Sequence, residues 1–191
     1  FEALKRLLFT FIQNVPHVLL PYAGYKLKHM HPRGYRLRSI EKIYELAKKS
    51  KNVMYLTDNA GEIAFDKLLV RELKNLGCNV TVAVKGGPVL NDAALPDAKL
   101  VGMDKIADKV MTTGTDAVGL QPKECSKEFL EAYSNADFII AKGMGYAETL
   151  TELELKVPHA LLFRTKCNPV ARYFNVERNK NVAIILPRNR F

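Results

Sequence analysis

From Ile40 onward, two hydrophobic rhythms alternate along the chain. SIEKIYELAKKS (Ser39 to Ser50) sets apolar residues at the three- and four-residue spacing of an amphipathic helix, with Ser39 as its N-cap. NVMYLT is a continuous apolar run of strand length. A second helical stretch runs from Gly61 to Leu76, with Ile63, Leu68, Leu69 and Leu73 as its buried positions and Gly77 as its stop. NVTVAV (Asn79 to Val84) is the next strand. Short helical pieces lie between Pro96 and Ala107, followed by a brief strand around Val110 and Met111. Ser126 caps the helix KEFLEAYSNA, and DFIIA (Asp137 to Ala141) reads as a strand. Helix ETLTELEL, strand HALLFRT, helix PVARYF and strand NVAIIL complete the series.

The strands are short and apolar throughout, which is the pattern of a parallel sheet covered by helices on both faces. The expected fold is a doubly wound three-layer α/β/α sandwich over residues 39–191. Ahead of it, Leu4, Leu7, Leu8, Phe11, Ile12 and Val15 keep helical spacing in a chain that opens with Phe1 rather than Met. That segment reads as the end of a helix begun upstream, in a longer protein. Asn14 to Arg38 shows no period and reads as an irregular connector, so residues 1–38 form a helical remnant plus linker.

Composition narrows the function. Three cysteines, Cys78, Cys125 and Cys167, include no CxxC pair. A disulfide framework or structural zinc site is therefore not expected, and a reducing cytoplasm is the expected home. No run reaches the length of a membrane span. The formal net charge is +9, yet the lysines and arginines are scattered without basic runs or interleaved aromatics. Nucleic acid is thus not the expected partner, whereas a small phosphorylated molecule needs positive potential at a single site. Nothing in the sequence excludes a homo-oligomer.

In open parallel sheets the ligand crevice lies beyond the carboxyl ends of the strands. Here those ends are followed by Asp58-Asn59-Ala60-Gly61-Glu62, by Lys85-Gly86-Gly87-Pro88 with Asn91-Asp92, by Thr112 to Asp116, by Lys142-Gly143-Met144-Gly145, and by Lys166-Cys167-Asn168. Each has an ordinary reading beside the chemical one. Asn59 and Glu62 form the two halves of a helix capping box. Asp92 suits a turn with Asn91. Lys85 and Lys142, taken singly, are solvated strand ends. Cys167 is a small apolar residue before it is a nucleophile, and His29 with His31 belong to a loop. GxG without a third glycine is a weak dinucleotide signal.

Their convergence points further. Asp58, Asn59 and Asp92 are hard oxygen donors suited to a divalent cation that keeps waters and a substrate phosphate in its sphere. Helix starts at Gly61 and near Gly145 offer N–H groups to an anion, and lysines such as Lys142 offer point charges to phosphate oxygens. Glu62 is a candidate to position or deprotonate water. Metal, lysine and amide donors together suit phosphoryl transfer.

TDNAGE after a strand, a later VLNDA, then AKGMG and RTKC resemble the metal-dependent damage-control phosphatases, the family catalogued as domain of unknown function 89 and also called protein-glutamate methyltransferase-like. The resemblance spans about Ile40 to Pro187. It implies one divalent ion (Mg²⁺, Mn²⁺, Co²⁺ or Ni²⁺) held by Asp58, Asn59 and Asp92. It also implies a phosphosubstrate held around Gly143, Met144, Gly145 and Tyr146 and by Lys166. The implied substrates are phosphate esters of small metabolites, such as sugar phosphates or damaged phosphopantetheine-type compounds. Two departures stand out. Tyr146 occupies a position where relatives commonly carry Asn, and the family's helical N-terminal region, with its cysteine pair in microbial relatives, is absent apart from its tail.

Other classes fit less well. S-adenosylmethionine-dependent carboxyl methylation suits the fold type, but no glycine-rich loop follows the first strand. An aspartyl-nucleophile phosphatase of the haloacid dehalogenase type needs a second Asp where Ala60 stands. A non-catalytic phosphometabolite-binding module has no use for a second carboxylate at Asp92.

Overall fold

The structure, a computed structural model, describes residues 37–186. Of the helical remnant and connector expected over residues 1–38, residues 1–36, with His29 and His31, lie outside the described residues, and Leu37 and Arg38 belong to the first helix instead. Helix α1 (Leu37–Lys49) leads into β1 (Asn52–Leu56), α2 (Ile63–Asn75), β2 (Asn79–Val84), α3 (Leu95–Leu100) and a 3₁₀ turn (Met103–Lys105). Then follow β3 (Lys109–Thr112), α4 (Lys127–Ser134), β4 (Phe138–Lys142), α5 (Met144–Leu150), β5 (His159–Arg164), α6 (Asn168–Tyr173) and β6 (Asn181–Leu186).

One six-stranded sheet has the order β3-β2-β1-β4-β5-β6. All pairings are parallel except β5 with β6, which is antiparallel. Alternate residues of each strand serve opposite layers. Val53 and Tyr55 of β1 join Ile43, Ile63, Leu69, Leu73 and Ala98 beneath α1, α2 and α3. Met54 and Leu56 join Phe129, Ala147, Leu150 and Val170 beneath α4, α5 and α6. Burial on both faces is why these strands read as unbroken apolar runs, and the α/β/α sandwich follows from it. Between β1 and β4 the winding reverses, so the crevice of a doubly wound sheet opens beyond the carboxyl ends of these two strands.

Some boundaries and buried positions depart from expectation; helix α2 begins at Ile63 rather than Gly61. Ser39 lies inside α1 rather than capping it. In α2, Val70 and Asp66 are buried where Leu68 is only partly so. Helix α5 starts at Met144, ahead of ETLTELEL, because Gly143 at φ 95° turns the chain directly from β4 into the helix; Thr151 to Glu154 lie beyond its end. Ser126 does cap α4, its side chain accepting from Phe129 N–H at 3.2 Å.

Candidate functional site

After β1, Thr57 is buried against Ala83, and the next residues pair with the returning β2 loop rather than entering the helix. Asn59 and Asp92 face each other in an isolated antiparallel bridge. Ala93 N–H donates to Asp58 O at 2.7 Å, and Ala60 N–H donates to Asn91 O at 2.8 Å. The turn expected at Asp92 is present, with its N–H donating to Val89 O at 3.0 Å and Leu90 at φ 49°. That turn folds Asp92 back between the ends of β1 and β2. The third wall comes from β4. A Cβ on Gly143 would lie 2.4 Å from Asp58 Cγ, so this glycine is required for contact as well as for its backbone angle.

The capping box is not formed. Helix α2 has Glu62 as N-cap with no side-chain capping hydrogen bond. Asn59 Nδ2 instead donates to Asp58 Oδ2 at 3.1 Å and to Glu62 Oε1 at 2.8 Å. The other Glu62 oxygen accepts from Lys142 Nζ at 2.7 Å, and that ammonium also donates to Asp66 Oδ1 at 2.7 Å. Tyr55 O–H completes the chain by donating to Asp66 Oδ1 at 2.8 Å.

Neither strand-end lysine is solvated. The Lys142 side chain is 3% exposed and the Lys85 side chain 1%. Lys85 Nζ donates to Ala117 O at 2.7 Å and Gly119 O at 2.8 Å, lies 3.9 Å from Asp92 Oδ2, and sits 4.8 Å from the Tyr146 ring centroid. It therefore ties the 114–119 loop to the site floor. Lys166 is exposed beyond β5, and its charge is felt by both Asp58 and Asp92. Gly61 is exposed with open space beside it, whereas Gly145 is packed against Val118 and Gly119. Met144 is partly buried at the first turn of α5, and Cys167 is partly buried as the residue before α6.

Electrostatics follow from this crowding. Burial, then the Glu62 and Asp92 charges, push the Asp58 carboxyl up to about 7, against the pull of Lys142 and Lys166. Burial also raises the Asp92 carboxyl, opposed by Lys85 and Lys166. Burial works to lower Lys142, but Asp66 and Glu62 outweigh it and raise the ammonium above its usual range.

Among the described residues no group of three or more His, Cys, Asp or Glu is arranged to hold a metal. The set at the crevice is of another kind: two carboxylates, Asp58 and Asp92, with the Asn59 amide between them. The set fits a hard divalent cation, because its donors are oxygens and because burial, then the Glu62 and Asp92 charges, disfavour the bare Asp58 carboxylate.

Asp66 and Tyr55 adjoin the site through Lys142 and are not among the residues expected there. The signal for Asp66 was present: it stands with Ile63, Leu69, Val70 and Leu73 on the apolar stripe of α2, where an acid needs an internal partner.

Known proteins share much of this sequence and fold. The family model described as a damage-control phosphatase ARMT1-like domain matches residues 23–182. A damage-control phosphatase of Archaeoglobus fulgidus is 42% identical over 160 residues, covering 84% of this chain and 54% of that protein. One of Pyrococcus horikoshii is 40% identical over 152 residues, 79% of this chain and 51% of that protein. An uncharacterized protein of Methanocaldococcus jannaschii is 48% identical over 139 residues, 72% of this chain and 45% of that protein. The chain thus spans about half the length of the curated relatives it matches. The crystal structure of a DUF89 family protein from Pyrococcus horikoshii superposes with a TM-score of 0.80 at 33% identity, covering 98% of this chain and 66% of that one.

Proposed function

The chain belongs to the damage-control phosphatase ARMT1-like domain family, and from that premise we propose that it is a divalent-metal-dependent phosphatase of small phosphorylated metabolites. Phosphate monoesters such as sugar phosphates or damaged phosphopantetheine-type compounds are the substrates this reading favours. The observation that carries it is the pairing of Asn59 with Asp92 at the carboxyl edge of the sheet, which gathers Asp58, Asn59 and Asp92 where the winding reverses.

In this reading Asp58, Asn59 and Asp92 hold one ion, Mg²⁺, Mn²⁺, Co²⁺ or Ni²⁺. When bound, the ion supplies Lewis-acid polarisation of the phosphoryl group. Lys166, the exposed ammonium felt by both carboxylates, neutralises charge growing on the phosphate oxygens. The open backbone at Gly61 and the first turn of α5 at Met144 and Gly145, entered through Gly143, border the phosphate. Glu62, whose side chain is 22% exposed, orients the incoming water and takes its proton. Lys142 was expected at the phosphate; its pairing with Glu62 and Asp66 supports instead a role in holding Glu62.

The test is hydrolysis of p-nitrophenyl phosphate by the 191-residue chain with and without Mn²⁺, for the parent, Asp58→Ala and Asp92→Ala. Metal-dependent turnover in the parent, lost in both variants with unchanged circular dichroism, is expected. Equal turnover in all three would remove the proposal.

A further inference from the structure

A fully buried carboxylate sits behind the site, and packing gives no reason for it. Asp66 is 0% exposed on the apolar stripe of α2, where a leucine would serve the core. Its Oδ2 has no hydrogen-bond partner among the described residues, and Oδ1 carries both bonds, from Tyr55 O–H and Lys142 Nζ. Burying a carboxylate is costly even when it is paired, and this one is bonded through a single oxygen.

What it holds is the Lys142 ammonium, which bridges from Asp66 Oδ1 to Glu62 Oε2 at 2.7 Å on each side. Glu62 therefore cannot turn freely: one oxygen belongs to Lys142 and the other accepts from Asn59 Nδ2. An ionised carboxylate only accepts hydrogen bonds, whereas a primary amide has a donor end and an acceptor end. With Glu62 on one side and Asp58 Oδ2 on the other, the donor end of Asn59 is consumed by two carboxylates. The carbonyl oxygen is the end left to present. An amide nitrogen is no ligand for a hard cation, so the flip state of Asn59 decides whether it ligates at all.

We propose that Asp66 and Lys142 are positioning residues that act through Glu62 to keep the Asn59 amide oxygen turned toward the metal. The relay runs from the α2 interior (Asp66), across the end of β4 (Lys142), to the start of α2 (Glu62) and the end of β1 (Asn59). It rests on the metal-site reading above and adds an outer shell to it, in which a buried charge pair orients a ligand it never touches.

The experiment is Mn²⁺ titration of the full chain, with free Mn²⁺ followed by electron paramagnetic resonance. The variants are Asp66→Asn with Lys142→Met, which removes the buried anion and cation together, Glu62→Ala alone, and all three combined. Parent binding of one Mn²⁺, with affinity on the order of tenfold weaker in the double variant and in Glu62→Ala, is expected from the effect of disturbing outer-shell partners. Because the changes act through one path, the triple variant should fall within about twofold of Glu62→Ala. Glu62 is partly exposed, so Glu62→Ala remains a fair test even where the buried double variant does not fold. Parent-like affinity in Glu62→Ala, or full additivity in the triple variant, overturns the relay while leaving the metal site standing. A parent chain that takes up no Mn²⁺ overturns both.

Discussion

Gly143 and Asp58 are pressed together so closely that any side chain at 143 would overlap the carboxylate, an ideal Cβ falling 2.4 Å from Asp58 Cγ. Because Gly143 also sits at φ 95°, alanine there is strained whatever the carboxylate does. The three glycines around the site therefore form a graded series. Gly143→Ala should displace Asp58, lower the melting temperature and abolish Mn²⁺ uptake. Gly145→Ala meets Val118 Cγ1 at 2.9 Å, a side chain able to shift, and the Gly119 backbone nitrogen at 3.2 Å, so it should cost less than Gly143→Ala but more than Gly61→Ala. Gly61→Ala meets nothing within 4 Å and should leave the melting temperature unchanged. Thermal unfolding and metal titration of the three variants check the order; equal losses at 61 and 143 would contradict it.

This contact also shows what the chain discloses on its own. The strands NVTVAV and NVAIIL were legible to the residue, because unbroken apolar runs are what a doubly covered sheet demands. Asp58, Asn59 and Asp92 were legible as neighbours, because strand ends of a parallel sheet share one edge. The partners of the lysines were not. Lys142 meets Glu62 across 80 positions and Asp66 across 76, and nothing local at a strand end announces a buried carboxylate from a distant helix. The capping box failed for the same reason: Asn59 and Glu62 have the right spacing, but stronger charged partners at Asp58 and Lys142 claim their side chains. The start of α5 was hidden because GMG has poor helical propensity, and tertiary contact overrides it.

The crowding of carboxylates predicts a trade between stability and binding. Asp58 is disfavoured as an anion by burial and by the Glu62 and Asp92 charges. Asp58→Asn keeps the shape and removes the repulsion, so without metal the variant should melt higher than the parent at neutral pH. Added Mn²⁺ should raise the parent's melting temperature and leave the variant's unmoved, since ligand stabilisation requires a site. Calorimetry with chelator and then with Mn²⁺ gives both readings. A variant less stable than the parent under chelator would show that the carboxylate is held by favourable contacts.

Tyr146 offers a simpler test. Its side chain is buried, its hydroxyl has no hydrogen-bond partner among the described residues, and burial pushes the phenol well above its usual range. The ring keeps its place over Lys85 Nζ without the oxygen. Removing an unsatisfied buried hydroxyl relieves a penalty of about 1 kcal/mol or more. Tyr146→Phe should therefore raise the melting temperature, by about 2–4 °C for a domain of this size. A drop of several degrees would mean that the hydroxyl is bonded, through water or a ligand.

Away from the site, His159 governs a pH dependence of the fold. Its ring is fully buried at the start of β5, with Nδ1 at 2.8 Å from Val157 O and Nε2 at 2.5 Å from Tyr133 Oη. A carbonyl only accepts, so Nδ1 carries the proton and Nε2 accepts from the Tyr133 hydroxyl. Burial lowers the imidazole to about 4, the Val157 bond opposing. The unfolded chain takes up a proton near the ordinary value of 6.5 while the folded one does not, so stability is full above that value and is lost as pH falls toward 4. Between pH 7 and about 4.5 the loss from this one group amounts to about 2 kcal/mol. His159→Gln cannot titrate, so the difference in unfolding free energy between parent and variant should narrow by that amount on acidification. Denaturant unfolding of both at a series of pH values isolates this contribution from the carboxylates, which the two proteins share. A parent–variant difference that stays constant across the series would place a protonated ring inside the fold and contradict the neutral pairing with Tyr133.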